Sequence, residues 1–220
     1  MLPESREQIV SRLPGDARVL DVGGWAKPFP RADVVLDAMP HETRGLYGYD
    51  GDRAQERFSA GSWVQRDICD REPWPFADGE FDFAVCSHTL EDVRDPVWVC
   101  SELQRVARAG YIETPSRLEE QSFGIQGEWV GWGHHHWLVS AGERDIEFVF
   151  KHGVLQGRRS AQFDTKFWHG LGPAERVERL WWEGGFGYRE RLFVDGDDLD
   201  AWLDEVVDRH GGARKRRWAL

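Results

Sequence analysis

The sequence is poor in the features that mark membrane, exported or disulfide-rich proteins. No apolar run approaches the roughly 20 residues of a transmembrane helix, so we expect no membrane partner. The amino terminus has no charged-then-apolar leader, which predicts that the protein is not exported. The three cysteines, Cys69, Cys86 and Cys100, form no C-x-x-C pair, which is typical of reduced thiols in a cytoplasmic protein.

Positive charge is also scarce. The chain carries 28 Lys and Arg residues against 39 Asp and Glu residues, and its net charge is -11. Because an acidic surface repels phosphate backbones, nucleic acid is disfavoured as the main substrate and a small molecule is favoured. No G-x-G-x-x-G motif follows a predicted strand, which argues against a nicotinamide-dependent dehydrogenase.

Two short apolar runs end abruptly in small or polar residues. Val19-Leu20-Asp21-Val22 leads into Gly23-Gly24, and Phe81-Asp82-Phe83-Ala84-Val85-Cys86 leads into Ser87-His88. Both runs are too short to be helices, and their composition is typical of buried parallel strands that deliver a loop to a ligand site. They predict an open α/β sheet with a functional site at its carboxyl edge.

The rest of the pattern predicts a Rossmann-like α/β fold, with a mostly parallel sheet, helices and a C-terminal antiparallel addition. Its predicted elements are strands at 18–22, 32–36, 62–68, 81–87, 110–114 and 186–194, helices at 4–13, 96–109, 173–182 and 197–210, and a hairpin of 135–139 with 146–151. The 220 residues are enough for one domain with a full core. We predict a core at 16–116, a loop, hairpin and cap at 117–210, and a basic tail at 211–220.

The connection between the first two predicted strands is unusually short. Only residues 25–31 separate them, and this segment contains Pro28 and Pro30. A parallel crossover normally needs a dozen or more residues, commonly helical, so we expect no helix here. One face of the sheet would then be thinly covered. It could serve as a homodimer interface, or later segments could fold over it.

Three blocks of residues resemble class I S-adenosylmethionine-dependent methyltransferases. Leu20-Asp21-Val22-Gly23-Gly24 is similar to their glycine-rich first motif. The second block is similar to their fourth-strand region. It consists of Trp74-Pro75-Phe76-Ala77-Asp78-Gly79-Glu80-Phe81-Asp82 followed by Ser87-His88-Thr89-Leu90-Glu91-Asp92-Val93. The next helix and strand resemble Leu103-Gln104-Arg105-Val106 with Gly110-Tyr111-Ile112-Glu113-Thr114-Pro115-Ser116.

The resemblance covers residues 18–116 and implies a methyltransferase whose cofactor is S-adenosylmethionine. Three features depart from the family pattern. Asp92 stands where members often have His, Ala26 stands where they often have a further Gly, and the helix after the first strand is missing. Beyond Ser116 the resemblance names no substrate.

The resemblance also implies roles for residues at the strand ends. Gly23 and Gly24 would let the backbone lie against the methionine and ribose parts of the cofactor. Asp21 would either orient this glycine loop or meet the methionine ammonium group. The alternative for Asp21, and for the acids at the ends of the next strands, is a structural role as a loop cap or turn residue.

Further cofactor contacts are implied at the ends of the second, third and fourth strands. Asp37 would accept hydrogen bonds from both ribose hydroxyls, because a carboxylate has two oxygens. Asp67 would accept one from the adenine amino group, and Ile68 would pack on the ring. Ser87 and His88 would lie beside the sulfonium.

Methyl transfer is an in-line displacement, so the protein mainly aligns the acceptor and excludes water. A hydroxyl or ammonium acceptor must also lose a proton. His88 is the first candidate for the base, because its unperturbed pKa is ~6.5; the alternative is a residue that positions the next loop. Glu91 and Glu113 are further candidates, or else structural partners of Arg94 or Arg117.

The segment after Ser116 offers candidate acceptor contacts. Trp129, Trp132, His134 and His136 could line the acceptor pocket, with the Gly-rich loop at 121–133 either acting as a lid or remaining a static surface loop. Because neighbouring strand residues point to opposite faces, at most His134 and His136 could converge on a metal. We therefore predict no metal.

The leading prediction is a methyltransferase that acts on a small-molecule O or N acceptor in specialised metabolism. One alternative is a non-catalytic cofactor-binding or partner subunit with the same fold. Another is a metal-dependent enzyme built on the cluster at 134–136. The basic run at 214–217 is predicted to be a solvated tail or a contact for an anionic partner.

Overall fold

The computed structural model describes residues 1–46 and 53–211. They divide into two compact units. The first comprises Met1–Thr114, Ala141–Ile146 and Arg179–Tyr188, and the second comprises Pro115–Ser140, Glu147–Glu178 and the described residues from Arg189 onward. The predicted single domain stays a prediction, and the basic run at 214–217 lies outside the described residues. No helix in the described ranges combines the length and apolarity needed to cross a bilayer.

The regular elements follow one another in an alternating α/β pattern that later becomes mixed. In chain order they are α1 (Pro3–Arg12), β1 (Val19–Val22), β2 (Val34–Asp37), β3 (Trp63–Gln65), β4 (Phe83–Ser87), α2 (Pro96–Val106), β5 (Ala109–Pro115), α3 (Arg117–Glu120), β6 (Trp137–Ala141), β7 (Asp145–Phe150), α4 (Val154–Gly157), α5 (Thr165–Gly170), β8 (Val177–Glu183), β9 (Gly187–Glu190) and α6 (Gly196–Gly211).

Six strands form the main sheet, in the order β3-β2-β1-β4-β5-β8. The pairs β1–β2, β1–β4, β2–β3 and β4–β5 are all parallel. β8 runs antiparallel to β5, because Gly184 N–H donates to Arg108 C=O at one end and Ser116 N–H donates to Arg176 C=O at the other. The Rossmann-like fold class and the mostly parallel sheet are therefore confirmed.

The predicted helix after β4 is formed for the reason that its sequence suggested. Asp95 is its N-cap, and the Asp95 carboxylate accepts a hydrogen bond from Trp98 N–H at 2.9 Å. Pro96 occupies the first helical position, where its missing N–H costs nothing. The buried stripe contains Val99, Leu103 and Val106, as expected. The helix ends three residues earlier than predicted.

Residues 23–33 connect β1 to β2 and contain no helix, as expected from the short predicted connection at 25–31. Irregular chain takes its place on the sheet. Phe29 and Ala32 are buried in one core cluster with Ile9 of α1 and with Val35 and Val85 of the sheet. This face of the sheet is therefore covered within the first unit, by α1 and by the connection itself.

The predicted helix at 173–182 is wrong. A single 3-10 turn at Pro173–Glu175 is followed by strand β8. The side chains alternate, with Leu180 and Trp182 buried while Arg179 and Glu183 are exposed, which is the period of a strand. Pairing with β5 at the edge of the sheet decides between two patterns that a short apolar segment cannot distinguish.

The second sheet has the order β6-β7-β9 and confirms the predicted antiparallel addition. β6 and β7 form the predicted hairpin, since Gly142 N–H donates to Asp145 C=O and Lys151 N–H donates to His136 C=O. The core of the second unit contains Leu199, Trp202 and Leu203 from the predicted face of α6. The short helices α3, α4 and α5 were not predicted.

Candidate functional site

Hydrogen bonds connect the segments that follow four parallel strands, at the carboxyl edge of the sheet. Gly23 N–H, after β1, donates to Leu36 C=O in β2 at 2.9 Å. Arg66 N–H, after β3, donates to Asp37 C=O at 2.7 Å. The hydroxyl of Thr89, after β4, donates to Gly23 C=O at 3.4 Å. Gly23, Asp37 and the segment containing Asp67 therefore lie along one edge of the sheet, as the sequence predicted.

The two glycines after β1 are required by the packing of the protein itself. Gly23 has φ +75°, and a Cβ placed there would lie 2.2 Å from the Thr89 hydroxyl oxygen. A Cβ on Gly24 would lie 2.2 Å from Oδ2 of Asp21. The glycines thus let the loop descend onto two side chains, while Gly23 itself stays half-buried at the edge.

Asp21 lies beneath this loop and is buried. Its Oδ2 accepts a hydrogen bond from Phe29 N–H at 2.8 Å. Burial raises the pKa of Asp21 to about 7, although the Phe29 N–H opposes the shift. Of the two roles implied for Asp21, this contact corresponds to orienting the loop.

Asp37, at the end of β2, holds the backbone on both sides of it. Its two carboxylate oxygens accept one hydrogen bond each, from Trp25 N–H at 2.9 Å and from Met39 N–H at 2.8 Å. Burial raises the pKa of Asp37, against the effect of these N–H groups. A carboxylate has about four acceptor positions, so roughly two remain for a diol.

Asp67 is more exposed than Asp37 and carries an ion pair. It accepts a hydrogen bond from Cys69 N–H at 2.9 Å and lies 2.5 Å from Nη1 of Arg94. Burial acts to raise the pKa of Asp67, but Arg94 and the Cys69 N–H lower it overall. Arg94 therefore pairs with Asp67, and not with Glu91 or Glu113 as the sequence had suggested. The neighbouring Ile68 is buried, and its carbonyl accepts the indole N–H of Trp74 at 3.0 Å.

His88, which follows β4 and Ser87, has the most unusual backbone of the site. Its φ is +54°, and among the described residues it is the one non-glycine residue with positive φ. Its backbone N–H donates to Glu113 C=O at 2.8 Å. Its Nε2 lies 3.2 Å from Oε1 of Glu113, and its Nδ1 lies 3.6 Å from Oε1 of Glu91. The His88 side chain is nevertheless 43% exposed.

The two carboxylates beside His88 are sealed from solvent. Glu113 accepts hydrogen bonds from Leu2 N–H at 3.0 Å and from the Tyr111 hydroxyl at 2.5 Å. Burial alone would raise the pKa of Glu113, but His88 and these donors lower it to about 2. Glu91 is 1% exposed, and neither of its carboxylate oxygens has a hydrogen-bond partner among the described residues.

The charge state of His88 follows from these neighbours. Burial lowers its pKa, but the carboxylates of Glu113 and Glu91 outweigh that effect and raise the pKa to about 9. His88 is therefore an imidazolium at neutral pH. Of the three predicted catalytic residues, it alone reaches solvent. Ser87 is half-buried, and its hydroxyl lies 3.4 Å from Oε1 of Glu113.

The four predicted acceptor residues belong to the second unit. Trp129 is 56% exposed, while Trp132 is half-buried and donates its indole N–H to Oε1 of Glu119 at 3.3 Å. The rings of Trp132 and His134 are 6.2 Å apart. β6 begins at Trp137, so the alternation of strand residues does not apply to the three histidines, and His136 is exposed.

The Gly-rich loop at 121–133 is tied to itself at both ends. Gly131 N–H donates to Ser122 C=O at 2.8 Å, and Gly124 N–H donates to Trp129 C=O at 2.9 Å. Val130, between these bonds, is buried in the core of the second unit. These hydrogen bonds favour the static surface loop over the lid.

Sequence reasoning missed a buried charge cluster in the second unit. Glu120 lies 2.6 Å from Nδ1 of His135 through one oxygen and 2.6 Å from Nζ of Lys151 through the other. Burial acts to raise the pKa of Glu120, but both partners lower it overall. His135 was dismissed because the predicted strand pointed it away from its neighbours. The acid pair of Glu119 and Glu120, a few residues after the predicted strand at 110–114, was the signal that could have found the cluster.

The comparisons with known proteins cover only part of the chain. Residues 46–112 match the family model described as a methyltransferase domain, which covers less than a third of the chain. The match includes β4, α2, His88 and Glu91, but it ends just before Glu113 and begins after the glycine loop and Asp37. No curated protein matches the chain at a significant level.

Solved structures with a similar fold span only part of the chain. A candidate methyltransferase from Bacillus halodurans C-125 has 22% identity and a TM-score of 0.39, over 51% of this chain and 50% of its own. A SAM-dependent methyltransferase from Aquifex aeolicus has 19% identity and a TM-score of 0.37, over 51% and 64%. The chain spans about half the length of the first of these structures.

The matched segment begins in the connection after β2 and runs into β5, and the described strands within it have the parallel order predicted for the fold. The first motif, outside that segment, ends at the same edge of the sheet. Residues 46–112 of this chain are therefore similar to a methyltransferase domain.

Proposed function

We propose that this protein transfers a methyl group from S-adenosylmethionine to an oxygen or nitrogen atom of a small-molecule acceptor. The observation that carries the proposal is the meeting of Gly23, Asp37 and His88 at one sheet edge. When bound, S-adenosylmethionine supplies a methyl group already activated by a positively charged sulfur. The net charge of -11 supports a compact acceptor over a nucleic acid.

The residues at this edge of the sheet offer the hydrogen-bond acceptors and the open space that this cofactor requires. Asp37 keeps acceptor capacity for the two ribose hydroxyls, since each of its oxygens receives only one of the backbone hydrogen bonds already described. The exposed part of Asp67 can accept from the adenine amino group. Gly23 lets the backbone approach the cofactor without a side chain in between. Ile68 would contribute apolar surface next to Asp67.

His88 is the residue through which we propose that the acceptor proton leaves. It is the exposed member of the cluster with Glu91 and Glu113, and only its neutral form can accept a proton. Because its pKa is about 9, the fraction of neutral His88 increases with pH across the neutral range. Glu91 and Glu113 would act on the acceptor only through His88, since both are sealed from solvent.

The aromatic residues of the second unit remain a separate prediction for acceptor binding. Trp129 and Trp132 offer flat apolar surface at low entropic cost, and His134 adds polar atoms beside Trp132. Truncating Trp132 to Ala should increase KM for the acceptor while the affinity for cofactor remains unchanged. An unchanged KM would remove this residue from the acceptor site.

Two measurements test the proposed function. Calorimetric titration with S-adenosylhomocysteine should detect one site per chain, and no binding would overturn the proposal. Transfer of radiolabelled methyl from S-adenosylmethionine to a panel of hydroxyl and amine acceptors should then detect turnover. Cofactor binding without turnover on any acceptor would instead indicate a non-catalytic binding subunit.

A further inference from the structure

A cavity lies entirely within the second unit. Its volume is about 380 Å³, within the usual range for small-ligand sites, though at its lower end. Residues of α3, β6, β8 and α6 line it, together with the 3-10 turn before β8. Its apolar walls include Leu118, Val177 and Val206, while its charged groups are Arg117, Arg209 and three glutamates.

Arg117 is held rigidly at the wall of this cavity. Its guanidinium lies over the indole ring of Trp202, 3.5 Å from the ring centroid. Its Nη2 donates to Trp202 C=O at 2.7 Å, and its Nε donates to Oε1 of Gln121 at 3.0 Å. These contacts fix the plane of the guanidinium while using only two of its three nitrogens. Nη1 has no hydrogen-bond partner among the described residues.

The guanidinium also lacks a carboxylate partner within ion-pair distance in the described part of the chain. Arg158, in the same unit, shows the usual arrangement, since it pairs with Asp200 at 2.6 Å and with Asp204 at 2.5 Å. Burial lowers the pKa of Arg117 to about 10; the nearby carboxylates of Glu205 and Glu178 oppose this shift, and the cation of Arg209 adds to it. A half-buried cation without an ion pair is costly, and an incoming carboxylate would offset that cost.

The other charges of the cavity restrict which anion can enter. Glu175, Glu178 and Glu205 line it together with two arginines, of which Arg209 already pairs with Glu205, so a bare dianion such as phosphate would meet more negative than positive charge. A molecule that carries an ammonium group beside its carboxylate would match both signs. The aliphatic walls add contact area for an apolar side chain.

We propose that this cavity binds a small zwitterion of the amino-acid type, with its carboxylate on Arg117, its ammonium group toward Glu178 and Glu205, and an aliphatic side chain against Leu118 and Val206. The planar fork of Arg117 suits a carboxylate, which has two oxygens in one plane. The site is distinct from the sheet edge that carries Gly23 and His88, and it does not depend on methyl transfer.

Ligand-observed NMR and calorimetry with L-leucine as the probe test this inference. L-leucine should bind, L-leucinamide should bind at least about tenfold more weakly because it lacks the carboxylate, and N-acetyl-L-leucine should also lose affinity because it lacks the ammonium. Inorganic phosphate should not compete. No binding of L-leucine, equal binding of L-leucinamide, or preferred binding of phosphate would each overturn the proposal.

Matched variants locate the site. Arg117→Lys keeps the charge but removes the fork, and it should weaken L-leucine binding about tenfold, while Arg158→Lys should leave binding unchanged. Circular dichroism and the affinity for S-adenosylhomocysteine, both expected to match the parent protein, show that each variant is folded. Should Arg117→Lys fail to fold, Glu178→Gln provides the second test, because it should weaken L-leucine binding but not N-acetyl-L-leucine binding. Unchanged L-leucine affinity in a folded Arg117→Lys protein would contradict the assignment.

Discussion

The two halves of the main sheet hold their functional loops by different means. On the side of β1 and β2, the connecting chain has no helix, and the carboxylates of Asp21 and Asp37 accept its backbone N–H groups. On the side of β4 and β5, a full helix covers the crossover, and the loop at its start is held by a charged histidine between Glu91 and Glu113.

The difference shows that a connection without a helix needs other acceptors for its backbone N–H groups. A helix satisfies most of its backbone N–H groups internally, whereas irregular chain against a sheet leaves them to other acceptors. Here Asp21 and Asp37 supply acceptors to Trp25, Phe29 and Met39. In the other half, Glu113 also accepts a backbone N–H, from Leu2, but Glu91 and Glu113 together set the charge of His88.

The largest expected effect in this comparison comes from Asp37→Ala. It removes the acceptor of both the Trp25 N–H and the Met39 N–H, and each such group left unsatisfied costs about 1–3 kcal/mol. We expect the free energy of unfolding to fall by about 4 kcal/mol and the affinity for S-adenosylhomocysteine to fall at least about 100-fold. Urea denaturation and calorimetry measure the two quantities.

Asp37→Asn is the matched control for this change. The amide keeps an acceptor for only one of the two N–H groups, so this variant should recover at most about half of the stability that the Ala variant loses. Equal stability of the Ala variant and the parent protein would show that the two backbone groups find other acceptors. The β1–β2 half would then not depend on its carboxylates.

His88→Gln tests the other half and should act mainly on turnover. General-base catalysis typically contributes about 100-fold or more, so kcat/KM should fall by about that factor while the affinity for S-adenosylhomocysteine changes little. In the parent protein, kcat/KM should increase with pH toward a plateau above about 9, because only neutral His88 accepts a proton. The variant should lose this pH dependence.

A different result would change the role of His88. Equal losses in turnover and cofactor affinity would identify it as part of the cofactor site. A parent rate that is independent of pH between 6 and 9 would assign it the role of a positioning cation, which holds the loop through its positive φ and its two carboxylates.

Much of the first unit could be predicted from the sequence because its signals are local. The run from Val19 to Val22 is buried throughout, and Asp95 with Pro96 marks a helix start that tertiary contacts do not override. The segment at 177–183 could not be assigned in this way. Its apolar residues fit either a helix or a strand over one or two turns, and only the exposed edge of β5 decides the outcome.

The candidate site was predictable in position but not in charge. Strand ends placed Asp37 and His88 at one edge, since the carboxyl ends of parallel strands meet there. The pKa of His88 depends on Glu113, 25 residues further along the chain, and on distances that no spacing rule supplies. The partner of Arg94 was predicted wrongly for the same reason. It was expected to be Glu91 or Glu113, and it is Asp67.

Asp21→Asn should have the smallest effect, and it separates the hydrogen-bonding role of Asp21 from its charge. A carboxyl group whose pKa rises from 3.8 to about 7 on folding stabilises the folded state most at low pH, and this contribution is lost as pH increases toward 7. Asn can still accept from Phe29 N–H but cannot ionise. The stability of the variant relative to the parent should therefore increase by about 1.5 kcal/mol between pH 6 and pH 8, measured by urea denaturation at both values. A constant difference would mean that Asp21 is already ionised in the folded protein, and that the β1–β2 half, like the β4–β5 half, contains a buried charged acid.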